Sequence, residues 1–187
     1  MFKNMTSFYM KVIDNKKRGI NMKRLVVYFS RTGENSVNGE IEVIEKGYTE
    51  IVAEKIARYA ECDLFKLEPV DPYPFKYDEC VERVRNEVTC DYLHDDFSID
   101  EYGVVFIGFP NWYRSYPRIV AKFIRDHKWV GKTVIPFCTN EEGALGIGEL
   151  ELRSSVKGAI IKGGFAERGY NANTCDERLK KWLQEVL

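Results

Sequence analysis

Residues that could bind an anion are concentrated in the segment from Ser30 to Ser36, which is rich in hydroxyls and contains Gly33. A helix is predicted to follow it, with Thr49 as the N-cap because threonine is favoured there. Hydroxyls and free backbone N–H groups at a helix N-terminus bind anions, most often a phosphate. Neither the GxxxxGK[ST] nor the GxGxxG motif is present. The segment is interpreted as a phosphate site or, alternatively, as an ordinary Ser/Thr/Gly turn.

Large aromatic side chains are concentrated in a second segment, from Gly108 to Pro117, which contains Trp112, Tyr113 and Tyr116. An aromatic side chain in a loop at a strand end is well placed to stack on a planar ligand. The alternative is that these rings pack onto their own domain.

A third segment, from Cys138 to Gly146, contains glycines that allow close backbone approach and leave N–H donors free. Each of the three segments follows a predicted strand. In an open α/β sheet, ligands bind beyond the carboxyl ends of the strands, where the winding changes direction. The three segments are therefore predicted to form one site.

The elements that must position this site alternate between short β-rich runs and helical stretches, which is typical of βαβ units. The pattern predicts a single α/β domain, doubly wound, with a five-stranded parallel sheet in the order 2-1-3-4-5 and helices on both faces. A long polar loop, 31–48, is predicted between the first strand and its helix, and loops of that length are usually functional or mobile. Strands are predicted at 25–29, 63–67, 104–108, 133–137 and 159–162, and helices from 49 and at about 78–88, 118–127, 149–155 and 175–186.

Composition narrows the function classes. The 187 residues suit one domain, and 28 Lys plus Arg against 29 Asp plus Glu give a net charge of −1, which does not favour nucleic acid as a partner. We expect no membrane span, because no apolar stretch approaches the required length. The five widely spaced cysteines suggest reduced thiols and a cytoplasmic protein, and no metal site is predicted. The domain is predicted to cover 23–187. Residues 1–22 are interpreted as an N-terminal extension, ordered or disordered, or as an upstream start that the cell does not use.

From about Lys23 to Leu187 the chain resembles the flavodoxin family of FMN-binding proteins, and is similar to a subgroup with a lengthened first loop. The resemblance rests on the motifs YFSRTGEN, EKGYTEIVAEKIA, PYP followed by YDECVERVRNE, VVFIGFPNWYRSYP and PFCTNEEGALG. It implies FMN as the cofactor. The phosphate residues that it implies are Ser30, Thr32, Asn35 and Thr49, with Arg31 in the same loop; those along the ribityl chain and the isoalloxazine are Pro110, Asn111, Trp112 and Tyr113; those at the other edge of the ring are Thr139, Asn140, Glu141, Gly143 and Gly146.

The chain departs from the family pattern at three positions. Tyr48 stands where members commonly have Asn, Tyr113 where they have a second Trp, and Asn140 where they have His. We expect these changes to affect the affinity for FMN more than any other property.

The resemblance implies redox or electron-transfer function through bound FMN, with a partner protein or a small acceptor such as a quinone. Whether the protein is an enzyme stays open. One alternative is an FMN-dependent NAD(P)H:quinone-type oxidoreductase, although no second nucleotide motif is visible. Another is a flavodoxin-like scaffold that has lost FMN. Family carriers tend to be strongly acidic, so a net charge of −1 weakens the carrier interpretation.

Overall fold

A computed structural model describes residues 22–142 and 144–187, so the predicted extension lies outside the described residues except for Met22. The boundary at residue 23 remains a prediction. The strands are β1 Lys23–Tyr28, β2 Gly33–Val37, β3 Glu40–Ile44, β4 Asp63–Lys66, β5 Tyr102–Pro110, β6 Thr133–Asn140, β7 Ile160–Ile161 and β8 Phe165–Arg168; the helices are α1 Tyr48–Ala60, α2 Tyr77–Asn86, α3 Arg118–Asp126, α4 Gly148–Ser155 and α5 Asp176–Val186, with a short 3-10 turn at Gly169–Asn171.

The main sheet is parallel and runs in the order β4-β1-β5-β6-β7, with β8 also paired to β6. Because β7 and β8 are two pieces of the last strand, this is the predicted order 2-1-3-4-5, and the fold prediction is confirmed. Gly163 and Gly164 separate the two pieces. A Cβ on Gly164 would lie 2.9 Å from the Pro136 carbonyl oxygen, so the chain passes β6 too closely there for a larger residue.

The inner strands β1, β5 and β6 are buried on both faces, as expected of parallel strands that are covered by crossover helices. In β1, Leu25 and Val27 point into one core, which contains the buried residues of α3 and α4. Val26 points into the other, with the buried residues of α1 and α5. Because β1, β5 and β6 pair in parallel, their carboxyl ends meet at one edge of the sheet.

The predicted polar loop 31–48 is wrong in part, because most of it forms an antiparallel hairpin of β2 and β3. Its turn residues, Asn38 and Gly39, have φ values of 53° and 88°. Positive φ at both central residues is the type I′ geometry that Asn-Gly favours. This dipeptide was the signal that could have predicted the hairpin.

Thr49 is not the N-cap of the first helix, contrary to the prediction. Helix α1 begins one residue earlier, and its N-cap is Gly47, which has no capping side chain of its own. The hydroxyl of Ser30 takes the place of a capping side chain, because it accepts a hydrogen bond from the Glu50 N–H at 3.1 Å. The cap therefore comes from a residue distant in sequence.

All five cysteines are free thiols, as predicted. Within residues 22–142 and 144–187, no helix combines the length and the hydropathy that crossing a membrane requires.

Candidate functional site

An open cleft lies at the carboxyl ends of β1, β5 and β6, where an open α/β sheet binds its ligands. Its space is about 660 Å³ when the part open to solvent is included. The residues that line it come from the three sequence segments, the hairpin, the first turns of α1 and α2, and the turn after β8: Ser30, Arg31, Asn35, Ser36, Ile44, Tyr48, Thr49, Tyr77, Pro110, Asn111, Trp112, Thr139, Asn140, Glu141 and Gly169.

The N-terminus of α1 forms one end of the cleft. A Cβ on Gly47 would lie 2.1 Å from Ser30 Oγ and 2.6 Å from the Arg31 carbonyl oxygen, so only glycine fits there. Because Ser30 Oγ accepts from the Glu50 N–H, its own hydroxyl proton is left to donate elsewhere. The first N–H groups of a helix also have no acceptor within the helix. This end of the cleft is therefore a donor-rich anion site.

A buried pair of hydroxyls joins this end to strand β6, which pairs with the central strand β5. Thr49 Oγ1 lies 2.8 Å from Thr139 Oγ1, and both residues are almost fully buried. The Thr139 carbonyl oxygen also accepts from the Asn111 N–H at 3.0 Å. Thr139 thus fixes both α1 and the aromatic segment relative to β6.

Arg31 anchors the hairpin to the segment before α2. Its guanidinium donates to the backbone carbonyls of Pro74, Phe75 and Lys76, at 2.6 to 3.2 Å, and to that of Glu34. The Glu34 carboxylate in turn accepts from the Tyr77 N–H at 3.0 Å, at the start of α2. A carboxylate is favourable at a helix N-terminus. Arg31 Nε has no partner among the described residues and is buried.

The tip of the hairpin reaches the opposite side of the cleft, where the Gly39 N–H donates to Glu141 Oε2 at 3.1 Å. Tyr48 lies in the cleft wall, and its ring packs where a Cβ of Gly169 would be. Burial raises the pKa of the Tyr48 hydroxyl, and the carboxylates of Glu42 and Glu141 raise it further. The carboxylates of Glu42 and Glu141 therefore place negative charge beside the Tyr48 hydroxyl.

Two asparagines hold the segment after β6. Asn140 Nδ2 and Asn111 Nδ2 both donate to the Ala144 carbonyl, the latter at 2.9 Å. Asn111 Oδ1 is buried without a partner among the described residues. Burial raises the pKa of the nearby Cys138 thiol to about 12, so this thiol is protonated at neutral pH. Because Asn111 Oδ1 has no partner among the described residues, it can accept a hydrogen bond from a ligand's hydroxyl or N–H.

The aromatic segment turns back on itself between Trp112 and Ser115, which exchange backbone hydrogen bonds of 2.9 and 3.0 Å. The turn residues Tyr113 and Arg114 both have positive φ, 50° and 70°. Trp112 packs edge-on against Phe29, with ring centroids 5.5 Å apart. Its indole is therefore fixed at the cleft by the core beneath it.

The sequence-predicted residues divide into three groups in the structure. Ten line the cleft: Ser30, Arg31, Asn35, Thr49, Pro110, Asn111, Trp112, Thr139, Asn140 and Glu141. Thr32 is exposed outside the cleft wall, Tyr113 lines a neighbouring cleft, and Gly146 packs against the Arg114 carbonyl, where a Cβ would lie 2.3 Å away. Gly143 lies outside the described residues.

Cleft residues that were not among the predicted contacts come mainly from the hairpin and from distant segments. Ser36 and Ile44 reach the cleft because of the hairpin, Tyr77 because Glu34 holds the start of α2, and Gly169 because β8 extends beside β6. The Asn-Gly turn could have indicated the first two. No local signal indicates the others.

A family model described as Flavodoxin matches residues 23–186. The chain belongs to the flavodoxin family. None of the curated proteins matches this chain.

Solved structures agree with this assignment. A candidate flavoprotein from Bacteroides eggerthii is 26% identical, with a TM-score of 0.68, over 89% of this chain and 98% of its own. A second, from Bacteroides uniformis, is 26% identical with a TM-score of 0.66, over 87% and 97%. A flavoprotein from Lactobacillus acidophilus, solved in complex with FMN, is 17% identical with a TM-score of 0.57, over 87% and 99%, and supports the fold alone.

Proposed function

We propose that this flavodoxin-family protein binds FMN in the cleft and works in redox chemistry through it. The observation that carries the proposal is the meeting, in one cleft, of a donor-rich helix N-terminus and a fixed aromatic wall. The first suits a phosphate and the second a planar ring.

The residues present fit FMN. The close approach of Gly47 to Ser30 leaves no room for a side chain and brings backbone N–H groups to the site. Asn111 Oδ1 is a buried acceptor without a partner among the described residues, and it matches a ligand hydroxyl or N–H. FMN, when bound, supplies hydride and electron transfer, and the protein orients it and tunes its potential.

The roles of the residues follow from their chemistry. The hydroxyl of Ser30 and the first N–H groups of α1 would hold the phosphate, with Asn35 and Ser36 of the hairpin beside them. Asn111 and Thr139 would bond the polar chain of the ligand, and Trp112 would contact its apolar part. Glu141 adds negative charge at the cleft, which disfavours adding electrons to a nearby group.

Tyr48 replaces the amide that family members commonly carry, and its ring packs on Gly169. Its hydroxyl still offers a donor, because the raised pKa keeps it protonated. We therefore expect FMN binding to survive this departure.

The experiment is a titration of purified protein with FMN, followed by fluorescence quenching, with riboflavin as the comparison. Saturable FMN binding, with weaker riboflavin binding, is expected because riboflavin lacks the phosphate. Equal affinities for FMN and riboflavin would show that the N-terminus of α1 does not bind the phosphate. If neither compound binds, the result favours the scaffold alternative.

A quinone-type oxidoreductase is the second candidate function. It is favoured by a further cleft that adjoins the first, with which it shares Arg31, Asn35, Tyr77, Asn111 and Trp112. An enzyme needs a place for a second reactant, whereas a carrier that docks on proteins does not. Steady-state consumption of NAD(P)H in the presence of a quinone separates the two functions.

A further inference from the structure

The adjoining cleft lies between helix α2 and the Trp112–Ser115 turn. Its cavity volume is about 480 Å³, which is the scale of a small-molecule site. Because the two clefts share wall residues, among them Asn111 and Trp112, a molecule in the second would adjoin a ligand in the first.

One wall of this second cleft is an apolar stripe on α2. Tyr77, Cys80, Val81 and Val84 recur at intervals of three and four residues, so they share one helix face. Cys80 is buried, but the other three are only half-buried and line the cleft. A helix normally buries such a stripe against the core. Here Tyr77, Val81 and Val84 stay partly exposed to solvent at the cleft.

The opposite wall presents an aromatic ring from a strained turn. Tyr113 is 61% exposed, and its φ of 50° is costly for a residue with a Cβ. Arg114 beside it is also left-handed, with a φ of 70°. Strain of this kind persists where the surroundings enforce it, often at ligand clamps. The turn holds a large ring at the cleft instead of burying it.

Arg85 supplies a positive charge at the rim. Its Nε donates to the Tyr113 hydroxyl at 3.0 Å, which fixes the guanidinium beside the ring. In the part of the chain that the structure describes, no carboxylate pairs with Arg85; Asp78 lines the same cleft without an ion pair to it. Arg31, whose buried Nε has no hydrogen-bond partner among residues 22–142 and 144–187, lines the same cleft. A guanidinium binds anionic or carbonyl oxygens and stacks on flat rings.

We propose that this second cleft binds a flat aromatic compound carrying oxygen acceptors, of the quinone class. The α2 stripe would cover one face, Tyr113 would contact its rings, and Arg85 would bond an oxygen. The binding of this compound to the cleft does not depend on the proposed function. Its role as the electron acceptor of the bound flavin rests on the proposed function.

The test is a calorimetric titration with anthraquinone-2-sulfonate, whose blocked ring positions prevent addition to thiols. It is run on FMN-loaded and FMN-free protein, for the unmodified chain and for Arg85→Gln and Tyr113→Ala. Arg58→Gln is the matched control. Arg58 is also exposed and also donates a hydrogen bond to a tyrosine hydroxyl, that of Tyr59. It lies on α1, away from the cleft.

Saturable binding is expected with and without FMN. Arg85→Gln should weaken it roughly fivefold or more, because a charge-assisted hydrogen bond is lost, and Arg58→Gln should leave it unchanged. Tyr113→Ala should weaken it through lost ring contact. With neutral 2-(hydroxymethyl)anthraquinone as the probe, Arg85→Gln should have a smaller effect.

Three results would overturn the proposal: no saturable binding, equal effects of the two arginine changes, or loss of probe binding on loading with FMN. The last would mean that the probe occupies the flavin's own cleft. If the probe binds as expected while FMN does not, the flavin function fails and the second site stands.

Discussion

Thr49, in the first turn of α1, and Thr139, near the end of β6, form a buried hydrogen bond of 2.8 Å between their hydroxyl oxygens. The bond joins the anion-binding end of the cleft to the strand that carries its opposite side. Removing one partner leaves a buried hydroxyl unsatisfied, whereas removing both leaves two apolar groups in contact.

Thr49→Val or Thr139→Val alone should therefore lower the free energy of unfolding by about 1–2 kcal/mol. The double variant should cost less than the sum of the two single changes. Urea denaturation of the four proteins measures the coupling. Strict additivity would show that the two hydroxyls do not interact.

Gly47→Ala should weaken FMN binding by roughly tenfold or more, because the new methyl group would clash with Ser30 Oγ and the Arg31 carbonyl and displace the α1 N-terminus. Gly163→Ala is the control, since a Cβ there meets nothing within 4 Å. The readout is the FMN dissociation constant, with circular dichroism to confirm folding. Equal affinities of the two variants would contradict the close-approach argument.

Glu141→Gln should raise the FMN midpoint potential, because a negative charge near the site opposes reduction. The rise should be tens of millivolts at most, because Glu141 is only half-buried and solvent partly screens its charge. Spectroelectrochemistry at low ionic strength provides the measurement. Glu185→Gln, which removes an exposed carboxylate on α5, should leave the potential unchanged. Indistinguishable potentials for the unmodified protein and Glu141→Gln would refute the electrostatic role.

Asp176, at the start of α5, confers a pH dependence on stability. Hydrogen bonds from Lys55 and Tyr59 lower the pKa of its carboxyl to about 2, and the Lys55 Nζ lies 2.5 Å from its Oδ2. Since the folded pKa is below the unfolded one, the stabilisation is complete above about pH 4–5 and is lost as the pH falls toward 2. Allowing for solvent screening, it amounts to about 1 kcal/mol.

Asp176→Asn should accordingly lower the melting temperature at pH 6. At pH 3 the difference in melting temperature between the variant and the unmodified protein should be smaller. Thermal melts across this range test the expectation. A gap that does not change with pH would show that the carboxylate's charge contributes nothing.

The repetitive elements of the fold could be predicted from the sequence because their signals are local. The run at 25–29 is β-rich throughout, and β1 occupies Lys23–Tyr28. The helix predicted at 118–127 occupies Arg118–Asp126. These signals also place each strand to within a few residues, although β5 and β6 extend to Pro110 and Asn140, beyond their predicted ends. That precision is enough for most predicted site residues to line one cleft.

Features that depend on distant contacts could not be predicted in this way. The cap of α1 comes from Ser30, and the position of Tyr77 depends on Glu34. The left-handed turn at Tyr113 and Arg114 lacks the Asn-Gly signal that Asn38 and Gly39 provide for the hairpin. Tyr113 therefore lines the second cleft instead of the first.

The most direct test of the central claim is an absorbance spectrum of the purified protein, followed by FMN titration of any colourless fraction. The account predicts flavin bands, or their appearance on titration to an equimolar end point, with FMN released on denaturation. A protein that stays colourless and takes up no FMN would contradict it, and the cleft would then belong to a flavodoxin-like scaffold without its cofactor.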